Sequence, residues 1–281
     1  MVRKRFEWRL NERLLQLGDR TLLVAILNVT PDSFSDGGLY LDPDRAFARA
    51  VELEEQGADV LDIGAESTRP GSARIGEAEE LRRLVPVLKR LRGKLGIPIS
   101  VDTYKSAVAE KALQLGAEII NDPTGLTYDP QLAKVVTNYN AGLILNHMRG
   151  TPETWAKLPP LVDVMGTVVN ECEASVHRVT RAGVDRARIV VDPGLGFGKR
   201  KEQNAEILAR LHAFNRLDVP VLVGPSRKSF LAQPTTEETE FATAAAVTAA
   251  ILGGAHLVRV HNVKMMAAAI RLADSVAKFL P

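Results

Sequence analysis

Eight short apolar runs, recurring about every 34 residues, constrain the fold of this chain more than any other feature. They are Leu22–Leu27, Val60–Ile63, Ile99–Val101, Ile119–Ile120, Leu143–Leu145, Ile189–Val191, Val221–Val223 and Leu257–Val260. Short apolar strands of this kind belong to a parallel sheet covered on both faces. Segments of helical period lie between them: Arg45–Gln56, Glu77–Leu91, Ser106–Leu115, Asp163–Ala182, Gln203–Phe214, Glu240–Leu252 and Lys264–Phe279, with Pro130–Tyr139 a weaker eighth. Eight strands alternating with eight helices predict a (β/α)8 TIM barrel with right-handed crossovers. An open doubly wound sheet would use the same alternation, but no Gly-x-Gly-x-x-Gly turn follows the first strand. Upstream, Phe6, Trp8 and Leu10 alternate, 11–13 turn the chain and Leu14–Leu17 return, which predicts a short β-hairpin. With no linker rich in Gly, Pro or Ser, residues 1–281 are expected to form one domain, 1–20 being its hairpin extension.

Composition narrows the function. The net charge of +2 gives no global field for nucleic acid or a membrane surface. The lone Cys172 has no internal disulfide partner, fits a reducing cytoplasm and reads as a buried small hydrophobe. The basic start Met1–Arg5 leads into Glu7, Glu12 and Asp19 rather than an apolar segment, so no secretory signal is expected. Phe241 to Val258 has no charge, but Gly253-Gly254 divides it, and a buried helix feeding a strand explains it better than a membrane span.

The residues that follow the strands are polar throughout. The first strand leads into Asn28–Gly38, with Pro31-Asp32 and Gly37-Gly38 as turn chemistry and an apolar ring, Phe34, that needs a pocket or a ligand. The later exits are Gly64–Gly71, Asp102-Thr103, Asn121-Asp122, Asn146–Met148, Asp192–Lys199, Gly224–Ser229 and Arg259–Asn262. In a barrel these converge on one rim, where active sites sit. A single Asp or Asn there is as easily a helix cap; eight polar exits together make a site. Arg69, Lys228, Arg259 and His261, with glycine loops that expose N–H groups, suit a polyanion such as pyrophosphate. Asp102, Asn121 and Asp192 suit the donor-rich edge of a flat heterocycle, with Phe197 and Met148 as ring contacts. That pairing points to cleavage of a C–O bond to a phosphate leaving group.

From about Leu22 onward these motifs, in this order, make the sequence resemble the dihydropteroate synthase family of pterin-binding enzymes. The resemblance implies a transferase of folate biosynthesis that joins 6-hydroxymethyl-7,8-dihydropterin pyrophosphate to p-aminobenzoate. It also implies Mg2+, a homodimer formed through barrel helices, and a sulfonamide target. Carried over, Asn28 would sit at the metal and the pyrophosphate, which Thr68, Arg69, Arg259 and His261 would hold. Asp102, Asn121, Asp192 and Lys228 would bind the pterin in a site that includes Met148 and Gly224. Phe34, Asp36, Pro70, Phe197, Lys228 and Ser229 would shape the aminobenzoate pocket, Ser229 taking the carboxylate. Asp102, Lys228, Arg259 and His261 would be the catalytic group, acting by dissociative substitution at the pterin methylene. A methyltetrahydrofolate-dependent methyltransferase has no need for Arg259, His261 and the Phe34 loop to grip pyrophosphate; the intact charged rim argues against a silent pterin-binding paralogue, which Asn262 keeps open. Four positions depart from the family pattern: Ala65 stands for a usual Gly, Pro123-Thr124 for Val-Ser, and Asn262 for Asp. The last leaves the orientation of His261 open. His177, His212, His256 and Trp8 are expected to be structural; of the run 199–201, only Lys199 lies near enough to the rim to matter.

Overall fold

A computed structural model describes residues 3–30, 42–69 and 71–280. Phe6–Arg9 (β1) and Leu14–Leu17 (β2) pair antiparallel, as the alternation of Phe6, Trp8 and Leu10 requires. Eight parallel strands follow: β3 (Leu22–Asn28), β4 (Val60–Gly64), β5 (Ile99–Asp102), β6 (Ile119–Asp122), β7 (Gly142–Asn146), β8 (Ile189–Asp192), β9 (Leu222–Val223) and β10 (Leu257–Val260). Their order is β8-β7-β6-β5-β4-β3-β10-β9. The remaining seam is closed by a parallel bridge between Val191 and Val221, where Val191 N–H donates to the Pro220 carbonyl at 3.0 Å. The sheet is therefore a barrel.

The helices are α1 (Pro43–Glu55), α2 (Glu77–Leu91), α3 (Ser106–Gln114), α4 (Gln131–Asn138), α5 (Val164–Arg181), α6 (Lys201–Ala209), α7 (Thr236–Leu252) and α8 (Val263–Ala277). Their starts follow from local chemistry. Asp42 caps α1 ahead of Pro43, and Thr235 with Glu238 forms a capping box that begins α7 four residues before the expected Glu240. The helix expected over Gln203–Phe214 instead ends at Ala209, and Leu211–Leu217 is a 3-10 segment. Leu211, Phe214 and Leu217 are all buried at three-residue spacing, which matches the three-residue turn of that helix. The uncharged Phe241–Val258 stretch is the body of α7, the Gly253-Gly254 break and the start of β10. No described helix is long and apolar enough to cross a membrane.

Strand parity divides the core. Outward residues such as Leu23, Ala25, Leu61, Ile63, Val101, Leu143, Val191 and Val258 pack against the helices. Inward residues Leu22, Val24, Val60, Ile119, Ile144, Val190, Leu222 and Leu257 fill the lower barrel, and Trp8, Leu10 and Leu17 of the hairpin close it. Trp8 Nε1 donates to the Arg188 carbonyl at 2.8 Å, so its polar atom is satisfied in that plug. His256 is structural as well: the Val221 N–H donates to its Nδ1 at 3.1 Å, and its Nε2 meets the Lys4 carbonyl at 2.9 Å. Continuing the inward parity to the carboxyl ends of the strands reaches Asn28, Asp102, Asn121, Asp192 and Arg259, so the same alternation that builds the plug aims polar groups at the opposite rim.

Candidate active site

The polar strand ends are not the loop residues expected but belong to the strands: Asn28, Asp102 and Asp192 are the last residues of theirs, and Asn121 is the last but one. Asn28, Asp102, Asn121 and Asp192 are held by ladder hydrogen bonds before the chain leaves the sheet, so their side chains are fixed by the barrel. Asp122, the outward neighbour of Asn121, accepts from Thr124 N–H at 2.8 Å and Leu126 N–H at 2.6 Å, and so builds the local turn.

Arg259 is the centre of the site. Its Nε donates to Asp62 Oδ2 at 2.5 Å and its Nη2 to Asp102 Oδ2 at 3.0 Å. Asn121 Nδ2 donates to the same Asp62 oxygen at 3.1 Å. Burial works against the Arg259 charge, but Asp62 and Asp102 outweigh it and hold its pKa above the ordinary value. Burial pushes the Asp102 carboxyl up to about 7; Arg259 opposes that rise and Asp62 adds to it. Burial likewise pushes Asp192 up to about 6, although its Oδ1 accepts from Gly194 N–H at 2.7 Å. Lys228 is pushed down to about 8 by burial and by Arg259, and its ammonium lies 3.9 Å from the centroid of the Phe197 ring. Phe197 in turn meets Trp155 edge-on at 5.2 Å. Gly224 lies between Asp192 and the Arg259 stem, where a Cβ would sit 3.7 Å from Asp192 Oδ2 and 3.6 Å from Arg259 Cβ.

His261 is fixed by Ser226: the two share a hydrogen bond of 3.0 Å between Oγ and Nδ1, and His261 N–H donates to Oγ at 3.2 Å. Asn262 takes no part in that; its Oδ1 accepts from Met265 N–H at 3.1 Å and caps α8. Burial, then Arg227, Arg259, Lys228 and Arg69, hold the His261 pKa well below its ordinary value. Four cations around one imidazole make this flank of the rim electropositive.

Two glycine-dependent loops complete the rim. The loop after β8 runs Gly194, Gly196 and Gly198 at positive φ, and a Cβ on Gly194 would lie 1.9 Å from the His147 carbonyl oxygen. Lys199, buried beneath it, donates to the carbonyls of Gly194 at 2.7 Å, His147 at 3.2 Å and Phe197 at 3.2 Å. Lys199 thus ties the β7 and β8 exits together from below rather than facing the rim. Met148, half-buried, follows that junction, whereas His147 Nε2 is paired with Glu171 of α5 at 2.8 Å.

The loop after β4 carries half-buried Thr68 and exposed Arg69. It stands on a buried network in which Lys105 donates to Glu66 and Glu80, each at 2.5 Å, and Tyr104 donates to Glu66 at 2.8 Å. Ser229 is exposed and opens a short 3-10 turn after Lys228. Phe34, Asp36 and Pro70 lie outside the described residues.

Sequence reasoning missed Asp62, Ser226 and the Glu66–Lys105–Glu80 network. Asp62 had a signal, being the one charge inside the Val60–Ile63 run at inward parity. Ser226 could have been found only through its spatial partner.

Residues 24–261 match the model of the pterin binding enzyme family. The chain is 42% identical to the dihydropteroate synthase of Synechocystis sp. over 94% of its own length and 93% of that protein's. The chain belongs to the dihydropteroate synthases. Its backbone superposes on the Yersinia pestis dihydropteroate synthase, solved with a sulfonamide drug, with a TM-score of 0.91 at 34% identity, covering 97% of this chain and 99% of that one. The Xanthomonas albilineans dihydropteroate synthase, solved with 4-aminobenzoic acid, gives 0.89 at 37% identity, with coverage of 99% and 100%. These structural neighbours are barrels, the fold that the Val191–Val221 bridge completes here. Family membership also makes the rim the place for its chemistry.

Proposed function

We propose that the chain condenses 6-hydroxymethyl-7,8-dihydropterin pyrophosphate with p-aminobenzoate, releasing pyrophosphate and forming 7,8-dihydropteroate, as a single catalytic domain. The observation that carries this reading is Arg259 standing between two carboxylates on a rim that also holds Asp192, Lys228 and His261. Asp102, Asn121 and Asp192 face the donor edge of the pterin, with Lys228 and Met148 beside them and Phe197 flanking the lysine. Arg69, Arg259 and His261, with Thr68, take the pyrophosphate. Heterolysis of the methylene C–O bond leaves both bonding electrons on the pyrophosphate oxygen. Ionised Asp102 stabilises the cation left on the pterin, and the aryl amine then attacks the methylene carbon and loses a proton. No side-chain nucleophile is needed; the site supplies charge placed in advance, whose single groups are worth about 3–4 kcal/mol each. Phe34, Asp36, Pro70 and Ser229 are assigned to the aminobenzoate side.

Asn28 fits a magnesium ion. Its half-buried Oδ1 lies beside Gly64, where a Cβ would stand 3.6 Å away, and Mg2+ needs few protein oxygens when waters and phosphate complete its shell. When bound there, Mg2+ neutralises charge on the leaving pyrophosphate.

Leu272 and Val276 of α8, Phe279 just beyond it and Phe241 of α7 are exposed apolar residues, and α7 and α8 pack together, which supports a homodimer through these helices. A cytoplasmic location agrees with the free, buried Cys172. The test is pyrophosphate release by purified protein with pterin pyrophosphate, with and without p-aminobenzoate. Release that depends on p-aminobenzoate, with dihydropteroate as product, is expected; no release, or release without product, rejects the reading.

A further inference from the structure

Resting on that reading of the site, we propose that Asp62 is a positioning residue for the reaction. It fixes the direction in which Arg259 offers its cation and the end of the Asn121 amide that faces the heterocycle. Asp62 is fully buried, two residues before the end of β4, on the inward parity that leads to the rim. One of its oxygens receives both Arg259 Nε at 2.5 Å and Asn121 Nδ2 at 3.1 Å. Its other oxygen has no hydrogen-bond partner among the described residues.

The geometry has two consequences. Nε and Nη2 form one edge of a guanidinium, and here that edge is divided between two carboxylates, Asp62 and Asp102. Asp102 therefore holds a single N–H of Arg259. Without Asp62, the fork of donors matches Asp102 alone, and a two-bond pair forms there. Such a pair would neutralise the carboxylate assigned to the developing cation and draw Arg259 away from the pyrophosphate. In addition, Asn121 spends its Nδ2 on Asp62, so its Oδ1 is turned away from that carboxylate and is left as an acceptor. A neutral residue at position 62 would let the amide turn over, presenting a donor where the ligand needs an acceptor.

The test compares wild type, Asp62→Asn, Arg259→Ala and the double variant. Asp62→Asn is expected to raise KM for pterin pyrophosphate and lower kcat, together a loss of about tenfold to a hundredfold in kcat/KM. KM for p-aminobenzoate should stay within about twofold. In the Arg259→Ala background the same change should cost less than about threefold, because its partner is already gone. Asp62→Asn with wild-type constants, equal losses for both substrates, or full additivity in the double variant overturns the proposal. Should Asp62→Asn fail to fold, Arg259→Lys is read instead, since an ammonium cannot span both carboxylates; a wild-type KM for pterin pyrophosphate in that variant overturns it. If the wild-type protein releases no pyrophosphate, the reaction is wrong, and calorimetry with inorganic pyrophosphate still reads the pairing. Weaker binding by Asp62→Asn is then expected, and unchanged affinity is the refuting result.

Discussion

Replacing Asp102 with asparagine should make the protein more stable and nearly inactive, and the stability gain should grow as pH rises from about 4 and be complete only above about 7. In the folded protein burial lifts the Asp102 carboxyl from 3.8 to about 7. A carboxyl whose folded pKa exceeds its unfolded value stabilises the fold below the unfolded value, and that contribution is lost as pH rises through about 7. At about 1.4 kcal/mol per pH unit the full shift would be about 4 kcal/mol; the coupling to Arg259 and imperfect mimicry by an amide reduce the expected gain at pH 8.5 to about 1–3 kcal/mol. For a chain of this size that is roughly 2–5 °C in melting temperature. The assay is thermal unfolding of wild type and Asp102→Asn at pH 5 and pH 8.5, with the difference between proteins compared at each pH. Taking differences cancels Asp192 and Lys199, whose shifted groups titrate in both proteins, whereas Lys228, which feels Asp102, cancels only in part. At pH 5 the difference should be less than about half of that at pH 8.5, because the folded carboxyl is still protonated there while the unfolded one, at 3.8, is already ionised. Turnover of the variant should fall by about 10²–10³, and affinity for the pterin by much less. Equal stability differences at both pH values would refute the buried-charge account, and equal losses of turnover and affinity would remove Asp102 from charge stabilisation.

Gly194→Ala should lower stability by about 3 kcal/mol or more and abolish pterin binding, since it meets both a positive φ and a backbone oxygen 1.9 Å away; a folded variant with normal pterin affinity by calorimetry would contradict this. Trp8→Ala should cost about 3–5 kcal/mol in chemical denaturation while leaving kcat at 25 °C within about twofold, because the plug lies at the end of the barrel opposite the rim. Sulfonamides should compete with p-aminobenzoate in steady-state kinetics, and inhibition that p-aminobenzoate cannot relieve would place the drug elsewhere.

The barrel was legible because a strand buried on both faces must be apolar at every position, and a chain cannot hide eight such runs. The polar rim was legible for the complementary reason: Asp102, Asn121 and Asp192 interrupt apolar runs where a buried polar group has to be satisfied. The alternation also explains what was misassigned. Those residues belong to the strands, because a polar inward side chain at the top layer does not end the ladder. Asp62 was passed over inside a run counted as apolar, although its parity is that of Asp102. Ser226 and the Lys105 network were beyond reach, since 35 residues separate Ser226 from His261 and 39 separate Lys105 from Glu66, and nothing local marks either pair. The doubt over Asn262 dissolved for the same reason: the partner that orients His261 comes from the neighbouring strand exit, not from the next residue.

On the proposed assignment, the distribution of charge lets one arginine serve both halves of the substrate. Asp62, Asp102 and Asp192 would repel one another around Arg259, and Lys228, which Asp102 and Asp192 favour, is still opposed by Arg259 beside it. Burial sharpens both conflicts, raising Asp102 and Asp192 and lowering Lys228. Arg259 lies at the boundary and stays charged because two carboxylates face it. An uncharged ligand would relieve neither side. A ligand that places a polyanion against the cations and becomes cationic at the carbon beside Asp102 relieves both as its C–O bond breaks. The relief is greatest when the charges are most separated, at the transition state rather than in the bound substrate, which is the condition for acceleration rather than mere binding.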